Sequence, residues 1–200
     1  MTHPVTGKKR TFLTLVVAAG VTVSLAAACS DFTGVPASLS TLSDSGSVFA
    51  LNGAPSGAPT ALHLYTGSLL AADASFTFDI AFDIDAQGNP VILPQRTVGA
   101  TGLVPAHTVG LQHVDQDFSL LDKAPKSGYH VDTALVTRVG KTVAIQSQDG
   151  NICGISLSGT SIYAKLVVLS VNPEARKLSI QFTVDPNCGF VSFLPGVPKD

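Results

Sequence analysis

Two short pieces of the sequence carry residue types able to do chemistry, at a spacing that lets them act together: His113-Val114-Asp115 and His130-Val131-Asp132. Imidazole and carboxylate groups bind transition metals and move protons. On an extended strand, residues two apart project from the same face, so each piece offers two ligands side by side. If the pieces lie on paired strands, His113, Asp115, His130 and Asp132 converge as four N/O ligands, with Asp117 or His107 at hand. No spacing in the sequence brings the pieces together, and the same residues on solvated strands and loops are ordinary surface groups. They stand as a candidate metal site, and alternatively as acid–base groups of a hydrolase built on the loops from 103 to 132.

Other catalytic patterns fail on their spacing. Gly154-Ile155-Ser156-Leu157-Ser158-Gly159 is one residue longer than a G-x-S-x-G elbow, with no strand-to-helix context. Among 14 acidic residues Glu174 is the single Glu, so no Glu pair exists for glycoside chemistry. Neither G-x-G-x-x-G nor a P-loop is present, so no nucleotide cofactor is expected. Asp83-Ile84-Asp85-Ala86-Gln87-Gly88-Asn89 resembles the start of a calcium-binding EF-hand loop. Gln87 is wrong for a ligand position, and Pro94 stands where a bidentate Glu is needed. The segment reads instead as an acidic strand face ending in a turn.

The N-terminal segment carries a different kind of information. Lys8, Lys9 and Arg10 precede Thr11 to Ala28, and no charged residue falls between Arg10 and Asp31. A basic start, an apolar stretch and small residues at its end are the parts of a secretory signal peptide. Leu25-Ala26-Ala27-Ala28-Cys29-Ser30 resembles the lipobox of bacterial lipoproteins, although Leu25 stands four residues before the Cys and Ala26 fills the usual Leu position. The resemblance covers this segment alone. It implies cleavage before Cys29, a diacylglycerol on the Cys29 thiol, an acyl chain on its amine, and residence in the bacterial cell envelope. Under the sorting rule of some two-membrane bacteria, Ser30, being other than Asp, permits transfer to the outer membrane, and residence there, on its periplasmic or surface face, is the expectation. An uncleaved anchor and a plain signal peptide are the alternative readings of residues 1–28.

The chain has 200 residues, enough for one ordinary domain. Apolar residues make up 45% and charged residues 13%, which excludes a disordered chain, a charged coiled coil and a basic nucleic-acid binder. Loss of residues 1–28 removes Lys8, Lys9 and Arg10, so the 12 Lys+Arg fall to 9 against 14 acids, a net charge of −5. That balance disfavours nucleic acid and anionic lipid as partners. Three Cys is an odd count for an exported protein, and lipidation of Cys29 resolves it. Cys153 and Cys188 then remain as a pair in an oxidising compartment. With no C-x-x-C and no second ligand pair, a structural disulfide is expected rather than a redox or zinc site.

The elements that must position these groups read as strands. Residues 29–45 are expected to be a lipidated Cys and a flexible Ser/Gly/Pro tether, and residues 46–200 one β domain. Phe76 to Asp85 alternates strictly, with Phe76, Phe78, Ile80, Phe82 and Ile84 inward and Thr77, Asp79, Ala81, Asp83 and Asp85 outward. Ala86 to Pro90 turns the chain into Val91–Leu93 as hairpin partner. Thr108 to Val114 is a further expected strand. Thr142 to Ser147 leads to Asp149-Gly150, a two-residue hairpin signal, with Ile152 to Leu157 as the return strand. Ser161 to Val171 is apolar enough to be buried on both faces, and Lys177 to Val184 alternates again. The expected fold is all-β, an antiparallel sandwich or small barrel with little helix outside the signal peptide. The expected function is a membrane-anchored envelope lipoprotein acting as a binding or structural module toward an envelope protein or polymer. The alternatives are the hydrolase or metal protein above, and a carrier whose apolar cavity is lined by the Phe set.

Overall fold

The computed structural model describes residues 1–2, 36–72, 78–99, 107–154 and 159–199. The chain divides into two units, Met1–Gly34 and Val35–Asp200, and the elements below all belong to the second. In chain order the described strands are β1 (Leu42–Phe49), β2 (Ala61–His63), β3 (Ser68–Leu70), β4 (Ile80–Ile84), β5 (Pro90–Pro94), β6 (Thr108–Val114), β7 (His130–Val131), β8 (Leu135–Val136), β9 (Thr142–Gln148), β10 (Ile162–Asn172) and β11 (Lys177–Asp185). Helix is limited to a 3-10 turn at Gln95–Val98 and one short turn, α1 (Gly150–Cys153).

The strands form two antiparallel sheets. One has the order β1-β11-β10-β9-β6-β7 and the other β3-β2-β4-β5-β8. Period-two alternation makes each sheet apolar on one face, and the two faces pack together. Leu178, Ile180, Phe182 and Val184 of β11 meet Leu62, Ile80, Phe82 and Ile92 of the facing sheet in one buried cluster. The fold is therefore a sandwich rather than a barrel. Truncating a fully buried Phe in such a core costs about 3–5 kcal/mol, so Phe82 and Phe182 anchor the joint.

Strand β10 is covered on both faces from Ile162 to Val168, as its sequence suggested, and not beyond, where Leu169, Ser170 and Asn172 are exposed. Ala164, Leu166 and Val168 face the main core. Lys165, on the opposite face, is also buried. Its ammonium donates to the carbonyls of Phe118 (2.7 Å) and Leu121 (2.9 Å) and lies 4.6 Å from the Phe118 ring centroid. That cation holds the loop carrying Leu121 and Ala124 against the sheet, beside Phe193. The register of β10 against β11 shifts between Val168 and Ser170, a bulge that leaves Leu169 exposed.

The structure departs from the sequence reading in three places. First, β1 begins at Leu42 and pairs with β11 from Leu42↔Val184 to Phe49↔Lys177, so strand structure starts inside the stretch read as tether. Residues just before it are held as well. Asn187 accepts from the backbone N–H groups of Ser38 and Leu39 (3.0 Å each) and donates to the Leu39 carbonyl (2.8 Å). Second, Asp149-Gly150 forms no two-residue hairpin. Asp149 caps α1 by accepting from the Asn151 N–H at 2.8 Å, and the strand that returns against β9 is β10. An Asp side chain that satisfies a helix N-terminus competes well with a tight turn. Of the expected return strand, Ile152 and Cys153 lie in α1, and residues 155–158 lie outside the described residues.

Third, the Phe76–Asp85 alternation holds only from Ile80 onward. Phe78 precedes β4 and packs with Ala61 and Ala81 in a second cluster, on the side expected to be solvated. Asp79 is buried at 4% exposure. Phe76 and Thr77 lie outside the described residues. The β4–β5 hairpin is as expected, pairing Ile84 with Pro90. Its turn is held by Asp85, which accepts from the N–H groups of Gln87 and Asn89. Cys153 and Cys188 form a disulfide, with Cα atoms 5.6 Å apart.

Candidate functional site

A buried polar cluster joins the two sheets. Asp79 stands just before β4, His107 just before β6, and Ser147 near the end of β9. One Asp79 carboxylate oxygen accepts from the Leu64 N–H at 2.6 Å. The other accepts from the Ser147 hydroxyl and lies 3.0 Å from His107 Nε2. Burial alone pushes the Asp79 carboxyl upward. The hydrogen bond and charge of His107, with the Ser147 and Leu64 donors, outweigh it and hold the group below its ordinary value. Burial likewise pushes the His107 imidazole down, and the Asp79 bond and charge outweigh it, so His107 sits above its ordinary value. Inside the protein each of the two groups therefore favours the charged form of the other.

These are the three residue types of a nucleophilic triad, and their arrangement is different. A triad needs the carboxylate on one ring nitrogen and the hydroxyl on the other, so that the base can take the hydroxyl proton. Here Ser147 and Asp79 both approach Nε2, at 3.1 Å and 3.0 Å, and the hydroxyl proton points at the carboxylate. Ser147 is 1% exposed. The trio orders the joint between sheets and does not activate an oxygen toward substrate. Sequence reasoning noticed His107 only as a neighbour, placed Asp79 outside, and passed over Ser147. Asp79 sits at an irregular strand start, where alternation no longer reports the face.

The two His-x-Asp pieces are brought together: β6 and β7 pair, with Leu111 opposite His130. Their side chains nevertheless have separate partners. Asp132 turns into the left-handed region (φ 47°), accepts from the Val109 N–H at 3.0 Å and lies 3.5 Å from the Arg96 guanidinium. Asp115 accepts from the Lys141 ammonium at 2.6 Å. His130 is exposed. His113 lies beside Arg138 and Lys141. Burial first, then those two cations, hold its imidazole below the ordinary value, against the smaller opposing effect of Asp115. Among the described residues, no three His, Cys, Asp or Glu side chains are grouped so as to hold a metal ion. Cys29 and residues 100–106 lie outside the described residues. Of the Phe set proposed to line a carrier cavity, Phe82 is packed in the main core and Phe78 in the second cluster.

These features define a disulfide-stapled, two-sheet β domain with a buried Asp–His pair between its sheets. No protein-family model, curated protein or solved structure matches the chain.

Proposed function

We propose that the protein is a bacterial cell-envelope lipoprotein whose exported part is a binding or structural module, held to the membrane through Cys29. The observation that carries this reading is the accounting of thiols. With Cys153 bonded to Cys188, Cys29 is the one cysteine of the three left over. It stands where an uncharged segment after Lys8, Lys9 and Arg10 ends in small residues. A disulfide also suits an exported domain, because reducing compartments rarely keep one. Two or more acyl chains on one residue anchor a protein stably, at about 0.8 kcal/mol per buried CH₂. The partner of the module is an envelope protein or polymer, and the outer membrane is its proposed residence.

Intact mass of the protein extracted from membranes, with and without reductant, tests this reading. The expected mass is that of residues 29–200 plus acyl chains, gaining two protons on reduction. A chain that starts elsewhere and carries no lipid overturns it.

A further inference from the structure

A cleft of about 380 Å³ opens where the two sheets meet at the ends of β5, β6 and β8, and it is lined by Asn89, His113, Val136, Thr137, Arg138 and Lys141. It lies at the Val114 end of β6, the opposite end of that strand from His107. The segment that supplies its two cations is held at both ends. The Thr137 N–H donates to the Pro90 carbonyl and the Gly140 N–H to the Val168 carbonyl, at 2.9 Å each. The Lys141 N–H closes the turn onto the Arg138 carbonyl at 3.1 Å. Gly140 takes a φ of 81°, a conformation open to glycine at little cost. The turn therefore rests on the bulged part of β10, which fixes the backbone that carries its basic side chains.

Charge and unpaired hydrogen-bonding capacity both point the same way. Arg138 has no ion-pair partner among the described residues. Lys141, whose side chain is 20% exposed, donates to the fully exposed Asp115 carboxylate at 2.6 Å and keeps two further ammonium N–H groups. Lys141 and Arg138 both act on His113 from the cleft wall, against a smaller opposing effect of Asp115. Thr137 is buried in the wall, and its hydroxyl has no hydrogen-bond partner. A buried hydroxyl without a partner is uncommon in a folded protein. His113 adds a further ring nitrogen, and the Asn89 amide, which already donates to Asp85 at 3.0 Å, keeps one N–H group. The whole chain carries a net charge of −2, so two unbridged or solvent-facing cations beside one cleft are a local reversal of sign.

We infer that this cleft binds an oxyanion, the carboxylate or phosphate group of a ligand, with the Arg138 fork as its main contact and Lys141, His113 and Asn89 around it. A guanidinium presents two parallel N–H groups to two oxygens of such a group. The inference does not depend on the lipid anchor, because it uses only groups on the β domain.

The test is nuclear magnetic resonance of the His113 side chain in the purified full-length protein with its disulfide intact. The titrants are inorganic phosphate, acetate, and chloride at matched ionic strength. Phosphate or acetate should shift His113 saturably at millimolar concentration and raise its pKa, while chloride should not. Tighter binding of phosphate assigns the site to phosphate groups; tighter binding of acetate assigns it to carboxylates. Arg138→Gln should weaken binding roughly ten- to hundredfold, and Lys126→Gln should leave it unchanged. Arg138→Lys, which keeps the charge and loses the fork, should fall between, and it replaces the Gln variant if that one misfolds. A chloride response equal to that of phosphate, no saturable shift, or unchanged affinity in the Arg138 variants overturns the inference.

Discussion

Replacing Asp79 with Asn tests the reading of the central trio most directly. The side chain keeps its shape and loses its charge. The wild-type carboxylate satisfies the Leu64 N–H, the Ser147 hydroxyl and His107 Nε2. The amide has one acceptor oxygen, so at least one of these buried donors is left facing an NH₂ group, and the imidazolium loses its counter-charge. Breaking a buried pair in this way costs about 3–5 kcal/mol. For a domain of this size that lowers Tm by roughly 6–20 °C. The loss depends on pH in a specified sense. The folded value of His107 is raised, so its contribution is complete below the unfolded imidazole value of about 6.5 and is lost as pH rises through the folded value. The folded value of Asp79 is lowered, so its contribution is present above about 3.9 and is lost as pH falls through the folded value. The stability gap between wild type and Asp79→Asn should therefore be widest between about pH 4 and pH 6.5 and narrow on the alkaline side. It does not close there, because the neutral hydrogen bonds persist. Urea unfolding at a series of pH values measures the gap, and resonance of the His107 ring gives its titration directly. A gap that stays flat from about pH 5 to about pH 9, or a His107 that titrates at or below its ordinary value, refutes the ion pair.

Two further outcomes follow from the packing. Replacing Cys153 and Cys188 together by Ser opens a loop with a sequence separation of 35. The chain-entropy relation sets the loss at about 4 kcal/mol, read as a fall in the urea midpoint with a steeper slope, because the unlinked denatured chain exposes more surface. Lys165→Met keeps the length and apolar stem of the side chain and removes the two carbonyl contacts to Phe118 and Leu121. It should cost roughly 1–3 kcal/mol and raise amide hydrogen exchange in residues 118–124, while the β10–β11 amides stay protected.

The strands whose two faces differ were the legible part of the sequence. Leu178, Ile180, Phe182 and Val184 alternate without interruption in β11, and all four are buried. The apolar run of β10 carried its double burial openly. The thiol pairing followed from counting cysteines. The structure was harder to read where a polar side chain, and not alternation, decides the local conformation. Asp149 chose a helical cap over a hairpin, and Asp79 entered the interior because three donors converge there from Leu64, His107 and Ser147. Those donors lie 15, 28 and 68 residues from Asp79, and no local window reports such a meeting. The first half of β1, Leu42 to Ser45, reads as tether because its Ser-rich sequence resembles a linker. It is a strand because β11 offers it a continuous row of partners. The cations of the cleft were equally hidden, since Arg138 and Lys141 look like ordinary surface charges until the turn places them beside His113.

The contacts of Asn187 have a mechanical consequence. This side chain grips the chain at Ser38 and Leu39, upstream of β1, and the next residue, Cys188, is bonded to Cys153 beyond the end of β9. Tension drawn through the N-terminal side of the domain meets Asn187 before it reaches the edge strand. From there a covalent path leads through the disulfide to the far side of β10. The load is shared across the sheet instead of unzipping β1 from β11 one rung at a time. A domain built this way resists being pulled by its leading end, and the bridge acts as a strain relief as well as a staple.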